Sequence, residues 1–87
     1  MTDFRIAVVD DHPVFRLGLA ALLSTLSGMT VLVQASSATE ALACIDDNID
    51  VVLMDLELGD GSGIEVTRSL SKRHPALRIL VLTMHED

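Results

Sequence analysis

Three short apolar runs in this chain lead directly into oxygen-bearing side chains. Ile6-Ala7-Val8-Val9 runs into Asp10-Asp11, Val51-Val52-Leu53-Met54 into Asp55, and Ile79-Leu80-Val81-Leu82 into Thr83. Short runs rich in β-branched residues, separated by helical patterns, read as buried parallel strands. Ligands of an open parallel sheet bind beyond the carboxyl ends of its strands. Asp10, Asp11, Asp55 and Thr83 are therefore expected on one edge of one sheet. Carboxylates crowded together repel and need a cation, and hard oxygen donors suit Mg²⁺. Such a site, with one carboxylate to spare and a hydroxyl nearby, is suited to handling a phosphoryl group.

Strand and helix signals alternate along the chain. The first strand is expected at Arg5 to Val9. A helix follows from Pro13, a residue that suits a first helical turn. Val14, Leu17 and Ala21, with Phe15, Leu19, Leu22 and Leu26, give that helix a broad apolar side. Ser27-Gly28 ends it, and Thr30 to Gln34 forms the second strand. Ser37-Ala38-Thr39-Glu40 matches a capping box, with Ser37 as N-cap and Glu40 reaching back. That helix turns Ala41, Leu42 and Ile45 inward and stops near Asp47-Asn48. The third strand covers Val51 to Met54. Ser62-Gly63-Ile64-Glu65 is a second capping-box match, opening a helix to His74, where Pro75 enforces the stop. The fourth strand is Arg78 to Leu82. Strand-helix-strand units of this length require right-handed crossovers and a parallel sheet with helices on its faces.

Composition excludes several function classes. The 87 residues fit one small domain. A net charge of −7 opposes binding to a phosphate backbone. With no Trp and no Tyr, platforms for stacking bases are poorly supplied. Cys44, the single cysteine, sits among Ala41, Leu42 and Ile45 and reads as a small buried hydrophobe. No run approaches the length of a membrane span and no signal peptide precedes the first strand, so a cytoplasmic location is expected. The Gly59-Asp60-Gly61-Ser62-Gly63 stretch lacks the last glycine of a dinucleotide fingerprint and has no following Lys-Ser/Thr. It reads as a turn and not as a nucleotide loop. No histidine shares a metal-ligand spacing with another, which opposes a zinc site. His12, before the helix-start proline, and His74, at a helix end, read as structural.

Val9-Asp10-Asp11-His12-Pro13-Val14-Phe15-Arg16-Leu17-Gly18-Leu19, then Asp50-Val51-Val52-Leu53-Met54-Asp55-Leu56, then Val81-Leu82-Thr83-Met84-His85 occur in that order. Together they resemble the receiver domain of bacterial two-component response regulators, of the NarL/FixJ (LuxR-type) subfamily. The resemblance spans residues 1–87. It implies an α/β, flavodoxin-like (CheY-like), doubly wound parallel sheet. Four strands in the order 2-1-3-4 and three helices are expected, without the fifth strand and the last helices. It implies Asp55 as phosphoacceptor and Mg²⁺ as cofactor, with a sensor histidine kinase or a small donor such as acetyl phosphate as the phosphoryl source. Asp11 would bind the metal directly, Asp10 through water, Asp55 as a third ligand and the Glu57 backbone carbonyl as a fourth. Thr83 would donate its hydroxyl to the phosphoryl group. Glu57 and His85 would tune how fast water removes that group. The domain would be a substrate that assists its own modification, and not a turnover enzyme, in the control of a transcriptional response.

Two departures from the family pattern stand out. Gly59 replaces the proline usual in the loop after the acceptor. The lysine usual at the end of the fifth strand has no counterpart, because Lys72, the only lysine, falls late in the third helix. The expectation is a receiver cut after its fourth strand, with any DNA-binding domain beyond it absent. The exposed fourth-strand edge, Ile79 to Leu82, is then expected to pair with a second copy or to exchange elements with it. The alternative is a phosphorylation-incompetent receiver acting only as a self-association or interaction module. An aspartyl-phosphate phosphatase fits less well, because its acidic pair would lie on the nucleophile's own strand.

Overall fold

The structure, a computed structural model, describes residues 3–82. Its elements are β1 (Phe4–Val9), α1 (Pro13–Ser24), β2 (Met29–Ala35), α2 (Ala38–Cys44), β3 (Val51–Asp55), β4 (Glu57–Leu58), β5 (Gly61–Ser62), α3 (Gly63–Arg73) and β6 (Arg78–Leu82). Four of the strands form one parallel sheet in the order β2-β1-β3-β6. This is the expected 2-1-3-4 arrangement with three helices. The two short strands, β4 and β5, make an antiparallel hairpin in the loop after Asp55 that the sequence reading did not anticipate.

Alternation along each strand divides the side chains between two faces. Ala7 and Val9 of β1, Val52 and Met54 of β3 and Ala35 of β2 point toward α2 and α3. There they meet Ala41 of α2, Ile45 just past its end, and Val66 and Leu70 of α3, all buried. Full burial of such a side chain contributes about 1.5–3 kcal/mol. Because β1 and β3 lie in the middle of the sheet, their carboxyl ends are walled in by this core.

The other face is less covered. Helix α1 lies over β1 and β2 with Phe15, Leu19 and Leu23 half-buried and Ala20 buried. The apolar side expected of this helix is only partly used: Val14 is 86% exposed, Leu17 56% and Leu22 60%. A helix apolar nearly all round presents more surface than one sheet face can cover. Beside it, Phe4, Ile6, Val51, Leu53 and Leu80 line an apolar groove of about 360 Å³.

Three local expectations are corrected. Cys44 is exposed, not buried. The inward stripe of α2 runs through Ala41 and Ile45, and the 100° helical step carries Cys44 out of it. Ser37 does cap α2, accepting the Glu40 N–H at 3.1 Å, but the Glu40 carboxylate turns to the Ser36 hydroxyl and not back to Ser37. Ser62 caps α3 through the Ile64 N–H at 3.1 Å, a single bond and not a reciprocal box.

Candidate metal and phosphoacceptor site

Asp10 continues β1 by one residue, because its N–H donates to the Ala35 carbonyl at 3.0 Å. The Arg16 guanidinium, one turn into α1, donates to the Asp10 carbonyl at 3.0 Å. The Asp10 side chain is thereby fixed at the mouth of the sheet and only 2% of the residue is exposed. Its Oδ1 accepts the His12 N–H at 2.8 Å and lies 2.7 Å from His12 Nδ1. The acidic pair therefore does not cap α1, whose N-cap is His12 with no side-chain cap.

Asp55 is the last residue of β3. Its strand neighbour Met54 pairs with Val9, and Asp55 itself pairs with Leu82. Register thus brings the ends of β1 and β3 side by side and sets Asp55 next to Asp10. Asp55 is buried, its Oδ1 accepts the Glu57 N–H at 3.0 Å, and its Oδ2 lies 3.8 Å from His12 Nδ1. Burial pushes the Asp55 carboxyl above the usual range. The Glu57 N–H opposes that rise, while the charges of Asp10 and Asp11 add to it.

Asp11 is half-buried. Its Oδ1 is shielded from water and makes no hydrogen bond among the described residues, an arrangement that a cation would relieve. One ligand atom from each of Asp10, Asp11, His12 and Asp55 lies within 4.8 Å of the others. The carboxylate set fits a hard divalent cation, since oxygen donors are what such ions take.

His12 corrects the sequence reading. Its ring turns into the acidic cluster, where the hydrogen bond to Asp10, then the charges of Asp10 and Asp11, raise its pKa. Spacing between histidines gave no hint of this, because the partners are carboxylates at both near and distant positions. His74 is at the end of α3 as expected, with Nδ1 2.7 Å from Asp47 Oδ1. Glu57 is exposed, and its N–H holds Asp55. Thr83 and His85 lie outside the described residues.

Two further residues support the site. At Gly63 an added Cβ would sit 2.3 Å from the Asp55 carbonyl oxygen and 2.6 Å from the Leu56 Cα, while the Gly63 N–H donates to the Leu56 carbonyl at 3.0 Å. Only glycine allows α3 to begin this close to the acceptor strand. Asp60, at the tip of the hairpin, accepts the N–H of Ala38 at 2.7 Å and of Thr39 at 3.2 Å, and the Thr39 hydroxyl at 2.9 Å. The loop after Asp55 is thereby tied to the start of α2.

A family model for the response regulator receiver domain matches residues 6–87. The chain belongs to that family. It is 37% identical over 84 residues to the response regulator GacA of Pseudomonas viridiflava, a match covering 95% of this chain and 39% of the relative. It is 42% identical over 82 residues to the DNA-binding transcriptional activator DevR/DosR of Mycobacterium tuberculosis, covering 93% of this chain and 38% of that one. The chain thus spans about two fifths of the length of these curated relatives. Among solved structures, a two-component response regulator of the LuxR family from Aurantimonas superposes with a TM-score of 0.85 at 38% identity, covering 98% of this chain and 61% of that one. The receiver fold of four parallel strands and three helices agrees with the expected CheY-like architecture. No helix among the described residues is long and apolar enough to cross a membrane.

Proposed function

We propose that this receiver domain accepts a phosphoryl group on Asp55 in a reaction that needs Mg²⁺. The observation that carries this reading is the convergence of Asp10, Asp11 and Asp55 at the sheet edge, with Asp55 buried beside two other acids. Asp11 and Asp55, with the Glu57 backbone carbonyl, would hold the cation, and Asp10 would hold it through water. When bound, the cation offsets the repulsion between the carboxylates and the incoming phosphoryl oxygens.

The remaining chemistry belongs to the chain. An Asp55 oxygen attacks phosphorus, forming an acyl phosphate O–P bond as the bond to the donor's nitrogen or oxygen breaks and its electron pair leaves with the donor. The Glu57 N–H on Oδ1 fixes the carboxylate plane for that attack. Arg16 holds the Asp10 backbone and thereby the acidic pair. Thr83 is the proposed donor to the phosphoryl oxygen, and the side chains of Glu57 and His85 are proposed to set the rate of dephosphorylation. The donor would be a sensor histidine kinase or a small acyl phosphate, in the cytoplasm. The response would be transcriptional, through a DNA-binding domain outside this chain. Self-association through β6 and the adjoining apolar groove is part of the same reading, since Leu80 and Val81 are exposed there.

Intact-mass measurement after treatment with Mg²⁺ and acetyl phosphate tests this function. A single phosphoryl gain, lost in Asp55→Asn, is expected. A folded chain that gains nothing, or an Asp55→Asn chain that gains equally, would overturn the reading.

A further inference from the structure

The segment between Asp55 and α3 has little in its own residues to hold it still. Gly59, Asp60 and Gly61 follow one another at the turn of the β4–β5 hairpin, and glycine loses the most conformational freedom on ordering. Each strand of the hairpin is two residues long, and an isolated two-stranded ribbon is marginal in water. Its order therefore comes from contacts outside it. Leu58 supplies one, buried with the core under α2 and α3. Asp60 supplies another. Its Oδ1 accepts the Ala38 N–H at 2.7 Å, and its Oδ2 accepts the Thr39 N–H at 3.2 Å and the Thr39 hydroxyl at 2.9 Å. Ala38 and Thr39 open α2, so these N–H groups have no partner within the helix and are free to take one from elsewhere. Gly61 rests on the same place: an added Cβ there would stand 3.3 Å from the Ala38 Cβ.

The hairpin that is clamped in this way also carries part of the acidic site. Glu57, the first residue of β4, donates its N–H to Asp55 Oδ1 at 3.0 Å, and its carbonyl is the proposed fourth ligand of the cation. Gly59 borders the acidic pair, because a Cβ on it would lie 3.5 Å from Asp11 Oδ2. We propose that Asp60 is a positioning residue for phosphoryl transfer: by clamping the hairpin to the start of α2 it fixes the Glu57 backbone, and through it the Asp55 carboxylate and one side of the cation site. The inference rests on the reading of Asp55 as the Mg²⁺-dependent acceptor. A misplacement of about 1 Å at reacting groups costs about a hundredfold in rate. A hairpin that loses Asp60 but keeps Leu58 is expected to lose about tenfold.

Two measurements on the 87-residue chain test it: calorimetric titration with Mg²⁺, and the rate of phosphoryl gain from acetyl phosphate at saturating Mg²⁺, followed by intact mass. In Asp60→Ala both Mg²⁺ affinity and the saturated rate should fall about tenfold. Asp60→Asn, which keeps one acceptor oxygen, should recover part of each loss. Ser37→Ala separates positioning from helix stability, since it removes the acceptor of the Glu40 N–H at the start of α2 and leaves the hairpin bonds in place. It should lower the melting midpoint and change neither Mg²⁺ affinity nor rate. An Asp60→Ala chain that matches the native one in both measurements overturns this inference alone. So does a Ser37→Ala chain that loses as much as Asp60→Ala, which would assign the effect to the stability of α2. If Asp60→Ala does not fold, Asp60→Asn decides in its place, and native values in that variant overturn the inference. A folded native chain that binds no Mg²⁺ and gains no phosphoryl group overturns it together with the proposed function.

Discussion

Gly63 passes so close to Asp55 that a Cβ at Gly63 would lie 2.3 Å from the Asp55 carbonyl oxygen. The two residues are separated by the whole β4–β5 hairpin, yet the first residue of α3 packs on the backbone that carries the proposed phosphoacceptor. Gly63→Ala must therefore move the hairpin, α3 or Asp55. Overpacking of this kind costs about 1–3 kcal/mol. Urea unfolding should show a lower midpoint with little change in slope, and phosphoryl uptake should fall with it. Gly59→Ala is the contrast, because a Cβ at Gly59 meets Asp11 Oδ2 at an ordinary 3.5 Å. A Gly63→Ala chain as stable as the native one would contradict the close approach.

Asp60 couples the same loop to α2. Its bonds to the Ala38 and Thr39 N–H groups hold its carboxyl below the usual range. Asp60→Ala should free these amides, and their hydrogen exchange is expected to quicken several-fold while α3 is unaffected. Equal exchange at Ala38 and Thr39 in both chains would show that the tie contributes nothing.

Arg5 and Asp50 form a forked pair at the opposite edge of the sheet. Arg5 Nη2 lies 3.0 Å from Asp50 Oδ1, and Nε and the backbone N–H reach Oδ2 at 3.1 and 2.8 Å. The side-chain and backbone hydrogen bonds from Arg5 lower Asp50 from 3.8 to about 2. A depressed carboxyl contributes stability above its unfolded value, and loses that contribution as the pH falls from 3.8 through about 2. Arg5→Gln should raise the Asp50 titration midpoint in carbon-detected spectra and shift acid unfolding to higher pH. An Asp50 midpoint near its ordinary value in the native chain would remove the basis for this.

Asp55 behaves in the opposite sense. Its raised pKa means that the native state binds its proton more tightly, so stability falls as the pH rises through the carboxylate range. In metal-free solution at neutral pH, Asp55→Asn should therefore melt higher than the native chain. Mg²⁺ should stabilise the native chain, by about 2.7 kcal/mol at a hundredfold excess over Kd, and so raise its melting midpoint, while raising that of Asp55→Asn much less. Melting curves with and without Mg²⁺ check both. A variant that melts lower than the native chain without metal would contradict the crowding of the three acids.

The groove between α1 and β6 leaves Phe4 and Leu80 exposed, and Val14 and Leu17 are exposed on α1. The 87-residue chain is expected to self-associate at micromolar concentration, and Leu80→Lys to reduce this. Sedimentation equilibrium that fits a monomer at all concentrations would exclude it.

The sequence by itself determined the parallel sheet and the acidic edge, and its resemblance to the receiver family supplied the strand order. Apolar runs with a sharp polar end belong in a parallel sheet, and the side chain after the last apolar residue emerges at the sheet's carboxyl edge. Asp10, Asp11 and Asp55 were readable for that reason. Residues whose role depends on a distant partner were not. The His12 ring enters the cluster because a turn around Asp10 aims it there, and Gly63 is obligatory only because the Asp55 backbone lies beneath it. Asp60 caps a helix from another part of the chain. Cys44 left the core because helical phase, and not its apolar neighbours in sequence, sets what faces the sheet. Local pattern specifies what must be buried; which polar atoms then meet is decided by the packing of elements that the pattern does not connect.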